Sequence, residues 1–488
     1  MADYDLAIIG GGLNGVSVAR DAAGRGLRVI LLEQGDLGGA ASGATGRLIQ
    51  GDLAVLERRA FSSLRAALAE RDIWMRTAPH LVRPVRFVIP AHSDERPPWL
   101  LRLGLLLYDR LAPRGGLPSA TIDVTHHPIG NALKRPFGIA FEYSDCLVDD
   151  SRLLMAAAVD AAERGAVIRT GARCVRADRS DVWRLAVVDR GHRQVITARS
   201  LANAAGAWTA TVAETVLRLP PPRAVAIKLG QIVVRRLFET DNVYVFQNRD
   251  RRLIFASPYL RDFTMIGTIA RPFKGDPAAV SMAADEVTYL CDAANRYFRE
   301  PVDPSDVIRF ISGVNLVAGR PGRRIAREGT MTFDARRGKA PLLTIFGGDV
   351  TTSRLRAERA VSRLLPFYPM SPRWTAHAAL PGGDFPHEQF ELQVERACER
   401  WKLLTGDQAL RLVSAYGSRL EAVLGNAKDA ADLAPTFGPD LTGAEVRYLM
   451  AKEWARFPDD ILWRRSKLGL TMGHADRERL AAFMATVT

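Results

Sequence analysis

The sequence predicts a mixed α/β chain with three parts. A doubly wound nucleotide-binding part opens it, an antiparallel part is inserted behind, and an all-helical part ends it. Three observations carry this reading. Residues 5–33 read as strand, glycine turn, helix and strand. The stretches IKLGQIVVRR, NVYVFQN, RLIFASPY and FTMIGTIA, between about 220 and 310, alternate as antiparallel strands do. Beyond about residue 388 the pattern is helical and holds no glycine motif. Such segregated blocks pack as separate layers around separate cores.

The first block is the most informative. Asp5–Ile9 is a short apolar run, the pattern of a buried strand. Gly10, Gly12 and Gly15 follow at the G-x-G-x-x-G spacing, with Gly11 and Asn14 between them. Val16, Val18 and Ala19 continue as a helix that ends at Gly24 and Gly26. Leu27–Leu32 is a second strand, closed by Glu33. Gly10 permits a tight turn, Gly12 lets the backbone approach a pyrophosphate, and Gly15 lets helix pack on strand. The helix start offers free N–H groups and a positive dipole end to phosphates. Glu33 stands where a carboxylate accepts from ribose hydroxyls.

NAD and FAD both fit that unit. The next stretch, Gly38–Leu53, favours FAD. It is small and hydroxyl-rich, and an isoalloxazine with its ribityl chain extends well past the dinucleotide turn. Ser42 and Thr45 are candidate pyrophosphate or ribityl partners, Arg47 a candidate phosphate partner, and Leu48 follows them.

Composition sets the outer bounds. The 488 residues suggest two to three domains, and 47% hydrophobic with 25% charged residues describes an ordinary globular chain. The net charge of +13 suits an anionic substrate or membrane surface. There is no arginine-rich tail and no basic run interleaved with aromatics, so nucleic acid is not expected. The four cysteines, Cys146, Cys174, Cys291 and Cys398, are far apart, which points to neither a zinc site nor a disulfide scaffold, and no metal is expected. The chain runs straight into its first strand, leaving no room for a signal peptide, and carries no apolar run long enough to span a bilayer.

The later elements follow in order. Leu53–Ala78 reads as an amphipathic helix and Pro84–Pro90 as a strand. Arg96–Pro118 holds a helix over 97–112, opened by prolines and closed by Pro113, Gly115 and Gly116. Arg102, Asp109 and Arg110 share a narrow sector of it, and leucines, Trp99 and Tyr108 fill the rest. So broad an apolar arc suits a membrane-surface helix, a core helix or a dimer contact. Phe141–Leu153 leads to a helix at Leu154–Arg164. Ala166–Arg169 and Arg173–Ala177 are strand-like, and Arg173 falls where a flavin fold meets the adenine. Leu185–Asp189 and Gln194–Ala198 form a meander. Ser200–Trp208 is a strand ending in a small-residue turn, with Gly206 and Trp208 placed to cover the dinucleotide. A helix at Asp285–Arg299 precedes Phe310–Arg327, which returns toward the cofactor. Leu342–Phe346 runs into Gly347 and Gly348, and Thr351 and Thr352 begin a helix reaching Leu364. N–H groups around Gly348, Asp349, Val350 and Thr351 would face the flavin side where negative charge grows on reduction.

These blocks together resemble the FAD-dependent, aerobic glycerol-3-phosphate dehydrogenases. The likeness rests on IIGGGLNGVSVARDAAGRGL, APHLVRPVRF, RPPWLLRLGLLLYDRL, FEYSDCLVDDSRL, GKAPLLTIFGG, LPGG, AYGSRLEAVLGN and EWARFPDDILWRR, in unbroken order over nearly the whole chain. It implies a glutathione-reductase-like FAD domain over 1–80, 140–215 and 310–370. A substrate domain would span 81–139 and 216–309, and a helical domain 388–488. It also implies peripheral attachment to the inner face of the cytoplasmic membrane through the 97–112 helix. Electrons would pass to quinone, with O2 the alternative acceptor.

The departures bear on substrate. After the hydroxyl-rich loop the family has histidine, two glycines and Leu-Arg-Tyr; this chain has Gln50, Gly51, Asp52, Leu53, Ala54 and Val55. A second family histidine is Gln231 here. The arginine after Ser-Gly-Val is Asn315, the lysine after the late glycine pair is Asp349, and a Thr-Asp pair is Ile269-Ala270. Three cationic donors are lost and two carboxylates gained. Charge-assisted bonds to a phosphate contribute about 1.5–3 kcal/mol each. Arg327 still matches a family arginine, with Arg320, Arg323 and Arg324 close by, so a rewired phosphate site stays open. Gln50 and Gln231 cannot act as bases; Asp52 or Asp349 can, or they bind an ammonium group, line a polyol or face solvent. The expected substrate is a small polyol, sugar alcohol or amino-bearing metabolite. A phosphate ester, and a flavoprotein that no longer dehydrogenates anything, are the alternatives.

Overall fold

The computed structural model describes residues 2–51, 61–91, 97–112, 117–134, 138–248, 250, 252–319 and 329–487. Among them two large sheets carry the architecture. The first sheet orders its strands as Thr330–Asp334, Leu342–Phe346, His192–Asn203, Tyr4–Ile9, Val29–Glu33 and Val167–Thr170. The five from Leu342–Phe346 onward are parallel. Their apolar runs are almost fully buried, as parallel strands covered on both faces require. Helices Leu13–Gly24, Asp150–Glu163 and Ser353–Ser362 cover one face. The meander Ala172–Arg179, Trp183–Asp189 and the start of His192–Asn203 packs on the other.

The second sheet is mostly antiparallel. Its order is Arg309–Ala318, Ala224–Arg235, Phe263–Pro272, Leu253–Tyr259, Val243–Gln247, Val82–Pro90, Ile139–Val148 and Leu48–Ile49, with Ala120–Asp123 alongside Ile139–Val148. Helix Ala284–Asn295 closes its core around stacked Phe246 and Tyr297.

Several expectations need correction. FEYSDCLV is a strand, Ile139–Val148, and the helix behind it starts at Asp150, where the Asp149 carboxylate accepts from Arg152 N–H at 3.1 Å. That strand and Arg309–Ala318, both placed by sequence with the nucleotide part, hydrogen-bond in the second sheet. Its burial mostly alternates along residues 139–148, as a strand's does. Of the helix expected over 53–78, the described part is Phe61–Thr77. The C-terminal part is helical, with a short ladder of Thr436–Phe437 on Leu441–Thr442.

Pro98–Leu111 forms the helix expected over 97–112. Leu105 and Tyr108 anchor it among Leu64, Phe87 and Tyr143. Trp99 is 68% exposed and Leu103 56%, and Leu100, Leu106 and Leu107 are exposed beside them. Among the described residues no helix is long and apolar enough to cross a membrane.

Candidate active site

The carboxyl ends of the parallel strands open on a cavity of about 1620 Å³. Gly10, Glu33, Thr170, Ala204 and Gly347 each follow or end one of those strands, and all line it. Open α/β sheets place ligands there because strand ends expose backbone groups and helix starts. The volume exceeds the range of about 300–1,000 Å³ usual for small-ligand pockets, which suits a ligand of dinucleotide length.

One end is built of backbone. Gly10 holds φ +110, and a Cβ there would lie 2.5 Å from Ala204 O. A Cβ at Gly15 would overlap Gly10 O, so helix and turn touch only because both positions are glycine. A Cβ on Gly12 would meet Ser42 Oγ at 2.9 Å, where the hydroxyl-rich loop crosses the helix start. Leu13 N–H donates to that hydroxyl at 3.0 Å. Glu33 accepts from Gly11 N–H at 2.7 Å and Gly35 N–H at 2.8 Å. Burial pushes its carboxyl above the usual range, and those two N–H groups pull it back. Gly10, Gly12, Asn14, Glu33, Ser42, Thr45, Leu48, Arg173, Gly206 and Trp208 all line the cavity. Gly11 and Gly15 shape the turn from behind.

The other end is built of side chains. Gly348, Asp349, Val350 and Gln50 meet a wall from the second sheet. Register puts Ile227 opposite both Asn315 and Pro272, and Leu229 opposite both Gly313 and Ala270, so these six share one patch of wall. Phe255 and Thr268 extend it. Asn315 donates to Gly348 O at 3.3 Å. Asp349 is exposed, and one of its oxygens accepts from Thr352 N–H at 2.9 Å and Thr352 Oγ1–H at 2.7 Å.

Three expected site residues sit elsewhere. Arg47 turns away: its Nε donates to Val148 O at 3.1 Å and its guanidinium lies 4.7 Å over Tyr259. The left-handed backbone at Arg47, φ 56, sends the side chain behind the loop rather than into the cavity. Gln231 is fully buried and outside the lining, with its amide donating to Thr268 Oγ1 at 3.1 Å and Ala44 O at 3.4 Å. It supports Thr268 rather than reaching the cavity. Thr351 is buried, and its hydroxyl accepts from Gln50 N–H at 3.2 Å. Asp52, Ala54, Arg320, Arg323, Arg324 and Arg327 lie outside the described residues.

Two features escaped the sequence reading. Arg356 reaches back from helix Ser353–Ser362 to the glycine pair. It donates to Asn14 Oδ1 at 2.7 Å, Asp349 O at 2.9 Å and Thr352 Oγ1 at 3.0 Å, and lines the cavity. Burial pulls its pKa down and the Asp349 carboxylate opposes that. A helical arginine four residues beyond Thr352 gives no sign of this in sequence. Trp454, Arg456, Phe457 and Arg464, from the C-terminal part, also line the cavity, and nothing local marks them either.

Comparison with known proteins agrees with this geometry. Residues 5–352 match the model of the FAD dependent oxidoreductase family, and residues 373–488 match that of the C-terminal domain of alpha-glycerophosphate oxidase. A glycerol-3-phosphate dehydrogenase of Pseudomonas aeruginosa is 41% identical, with 99% of this chain and 95% of that one covered. The aerobic glycerol-3-phosphate dehydrogenase of Escherichia coli is 37% identical over 100% and 98%. A D-erythritol 1-phosphate dehydrogenase of Brucella abortus is 39% identical over 98% and 97%. Among solved structures, a glycerol-3-phosphate dehydrogenase from Bacillus halodurans complexed with FAD superposes with a TM-score of 0.74 at 21% identity, covering 99% and 94%. That last likeness speaks for the fold alone. The chain therefore belongs to the FAD-dependent oxidoreductases, in the glycerol-3-phosphate dehydrogenase family.

Proposed function

We propose that this enzyme dehydrogenates a small polyol, sugar alcohol or amino-bearing metabolite rather than glycerol 3-phosphate. Gly10, Gly12, Glu33, Ser42, Thr45 and Gly206 would hold the nucleotide half of FAD, and Leu48, Gly348 and Val350 would flank its flavin half. FAD supplies a hydride acceptor, at N5, for the substrate carbon. The chain's own part is to hold that carbon and take the proton. Asn315 and Gln50 offer amides that both donate and accept, the pairing a hydroxyl needs. Asp349 keeps one oxygen on Thr352 and has a second free to accept a hydroxyl proton or face an ammonium group.

The observation that carries the reading is the character of this wall. Where the family sets cations, this cavity presents the amide of Asn315 and the carboxylate of Asp349, beside apolar Ile227, Leu229, Phe255 and Ala270. A phosphate dianion would meet a carboxylate there and lose charge-assisted bonds. The second reading, a phosphate ester dehydrogenase, is favoured by the relative named for D-erythritol 1-phosphate and by Arg327, which matches a family arginine. The exposed apolar face of Pro98–Leu111 supports peripheral membrane attachment and quinone as acceptor, with O2 the alternative; the same face would serve a homodimer.

Anaerobic mixing of the purified holoenzyme with single substrates separates the readings. Bleaching of the flavin by a polyol or amino sugar, and not by glycerol 3-phosphate, is the expected result. Bleaching by glycerol 3-phosphate or erythritol 1-phosphate alone overturns it in favour of the second.

A further inference from the structure

The C-terminal part reaches the nucleotide end of the cavity, and one side chain on a turn between its helices is oddly placed. Phe457 is 67% exposed and lines the cavity edge, although an exposed phenyl ring of that size gains nothing from water. Its backbone is fixed. The buried Asp460 carboxylate accepts from Phe457 N–H at 2.9 Å and from Arg456 N–H at 2.8 Å, so the turn that carries the ring is pinned from below. Arg456 lays its guanidinium against Gly171, so tightly that a Cβ on that glycine would overlap it. Gly171 follows the strand Val167–Thr170 that pairs with Val29–Glu33, which places the turn beside Glu33.

The same segment grips the loop behind Glu33. Arg465 is fully buried and donates to Asp36 Oδ1 at 2.7 Å, and Arg464 pairs with the same carboxylate. A few residues upstream, Glu453 forms a buried two-bond pair with Arg152 at 2.5 and 2.9 Å. Buried pairs of this geometry fix position more than they add stability. Here they lock Glu453–Arg465 to the helix Asp150–Glu163 at one end and to the loop Glu33–Asp36 at the other.

We propose that the C-terminal segment Trp454–Arg465 is a wall of the FAD site at its adenine end, with Phe457 stacking on the adenine and Arg456 closing the side beside Gly171. A purine has apolar faces that an aromatic ring covers well, and an edge of ring nitrogens that a guanidinium serves as donor. A held, exposed phenyl at the mouth of a nucleotide cavity answers the first need. The proposal rests on FAD occupying this cavity.

The test is titration of apo-protein with FAD, followed by quenching of flavin fluorescence. Phe457→Ala is expected to weaken FAD binding about tenfold or more, and Phe457→Tyr to retain it within about threefold. FMN lacks the adenylate, so its weaker binding should be the same in wild type and Phe457→Ala. Because the side chain is exposed, unchanged thermal unfolding of the apo-variant is expected and checks folding. Equal FAD affinity in wild type and Phe457→Ala overturns the proposal. So does an equal loss for FMN, which would make the ring a general prop of the fold. Wild-type protein that binds neither flavin would instead overturn the assignment of the cavity to FAD.

Discussion

The two ends of the cavity are made of different material. At the nucleotide end the contacts come from backbone: glycines at strand ends, N–H groups at a helix start, one carboxylate held by two N–H donors. At the substrate end they come from side chains on Ala224–Arg235, Leu253–Tyr259, Phe263–Pro272 and Arg309–Ala318, brought together by sheet register. A backbone site tolerates no change of residue at its glycines and recognises a constant ligand. A side-chain site can be rewritten one residue at a time while the sheet stays as it was. One enzyme can thus keep its cofactor and change its substrate.

The sharpest way to break this comparison is at Gly10. Gly10→Val places a branched Cβ 2.5 Å from Ala204 O at φ +110. Strain and overlap together should cost about 4 kcal/mol or more. The expected outcome is protein that purifies without flavin absorbance or fails to fold. A yellow, stable Gly10→Val protein would show that this end is no more rigid than the other.

That contrast also explains what could be read from sequence. Gly10, Gly12, Gly15 and Glu33 announce their roles within about thirty residues, because turn, helix start and strand end are consecutive there. Ile227, Ala270 and Asn315 share a patch only through pairing across three strands, and no local pattern encodes register of that kind. Asn315 and Asp349 stand out only against the family's pattern, not by their own chemistry. Arg47 reads as a phosphate partner because an arginine beside a hydroxyl-rich loop looks like a ligand until its backbone direction is known. Gln231 falls on the same side of its strand as Ile227 and Leu229, but Ala44 and Thr268 cover its amide, and no local pattern in the sequence gives that burial. Phe457 and Arg464 lie more than four hundred residues from the glycine turn they approach.

The substrate end can be tested by writing cations back. Asn315→Arg with Asp349→Lys should strengthen binding of glycerol 3-phosphate by about 3–6 kcal/mol if both groups reach the phosphate, at about 1.5–3 kcal/mol each. Asp349→Lys also removes the acceptor for Thr352 N–H, costing about 1 kcal/mol of stability. Inhibition or flavin bleaching by glycerol 3-phosphate, compared between wild type and double variant, reads the effect. No gain would mean that side chains at positions 315 and 349 do not reach a phosphate in this cavity.

Arg356 tests whether side chains matter at the junction of the two ends. Its guanidinium lies beside the Gly347-Gly348 turn, where charge on a reduced flavin would be felt. Arg356→Met removes that cation and should disfavour the reduced flavin by about 1.5–3 kcal/mol. For a two-electron couple that lowers the midpoint potential by roughly 30–60 mV. A potential unchanged by the substitution would assign Arg356 to holding Asn14 alone.

The smallest effect is expected at Tyr108, which joins the exposed apolar helix to the substrate end. Its hydroxyl accepts from Gly51 N–H at 2.9 Å, next to Gln50, and donates to Asp145 at 2.6 Å. Burial pushes the Asp145 carboxyl up to about 6, while Arg71 and Tyr108 pull it down. An acid whose folded pKa is raised takes up its proton on folding between the unfolded value, about 3.9, and about 6. Its ionisation therefore erodes stability as pH rises through that window. Tyr108→Phe deletes a donor that serves the ionised form, so the folded pKa should climb further and the erosion should grow. Above pH 6 the variant loses a bond to a charged group, about 1.5–3 kcal/mol, and below pH 4 one between neutral groups, about 0.5–1.5 kcal/mol. The gap between wild type and Tyr108→Phe in chemical unfolding should thus widen by roughly 1 kcal/mol from pH 4 to pH 7. A gap that stays constant with pH would detach Asp145 from Tyr108, and with it the polar link that runs from the outward helix to the backbone beside Gln50.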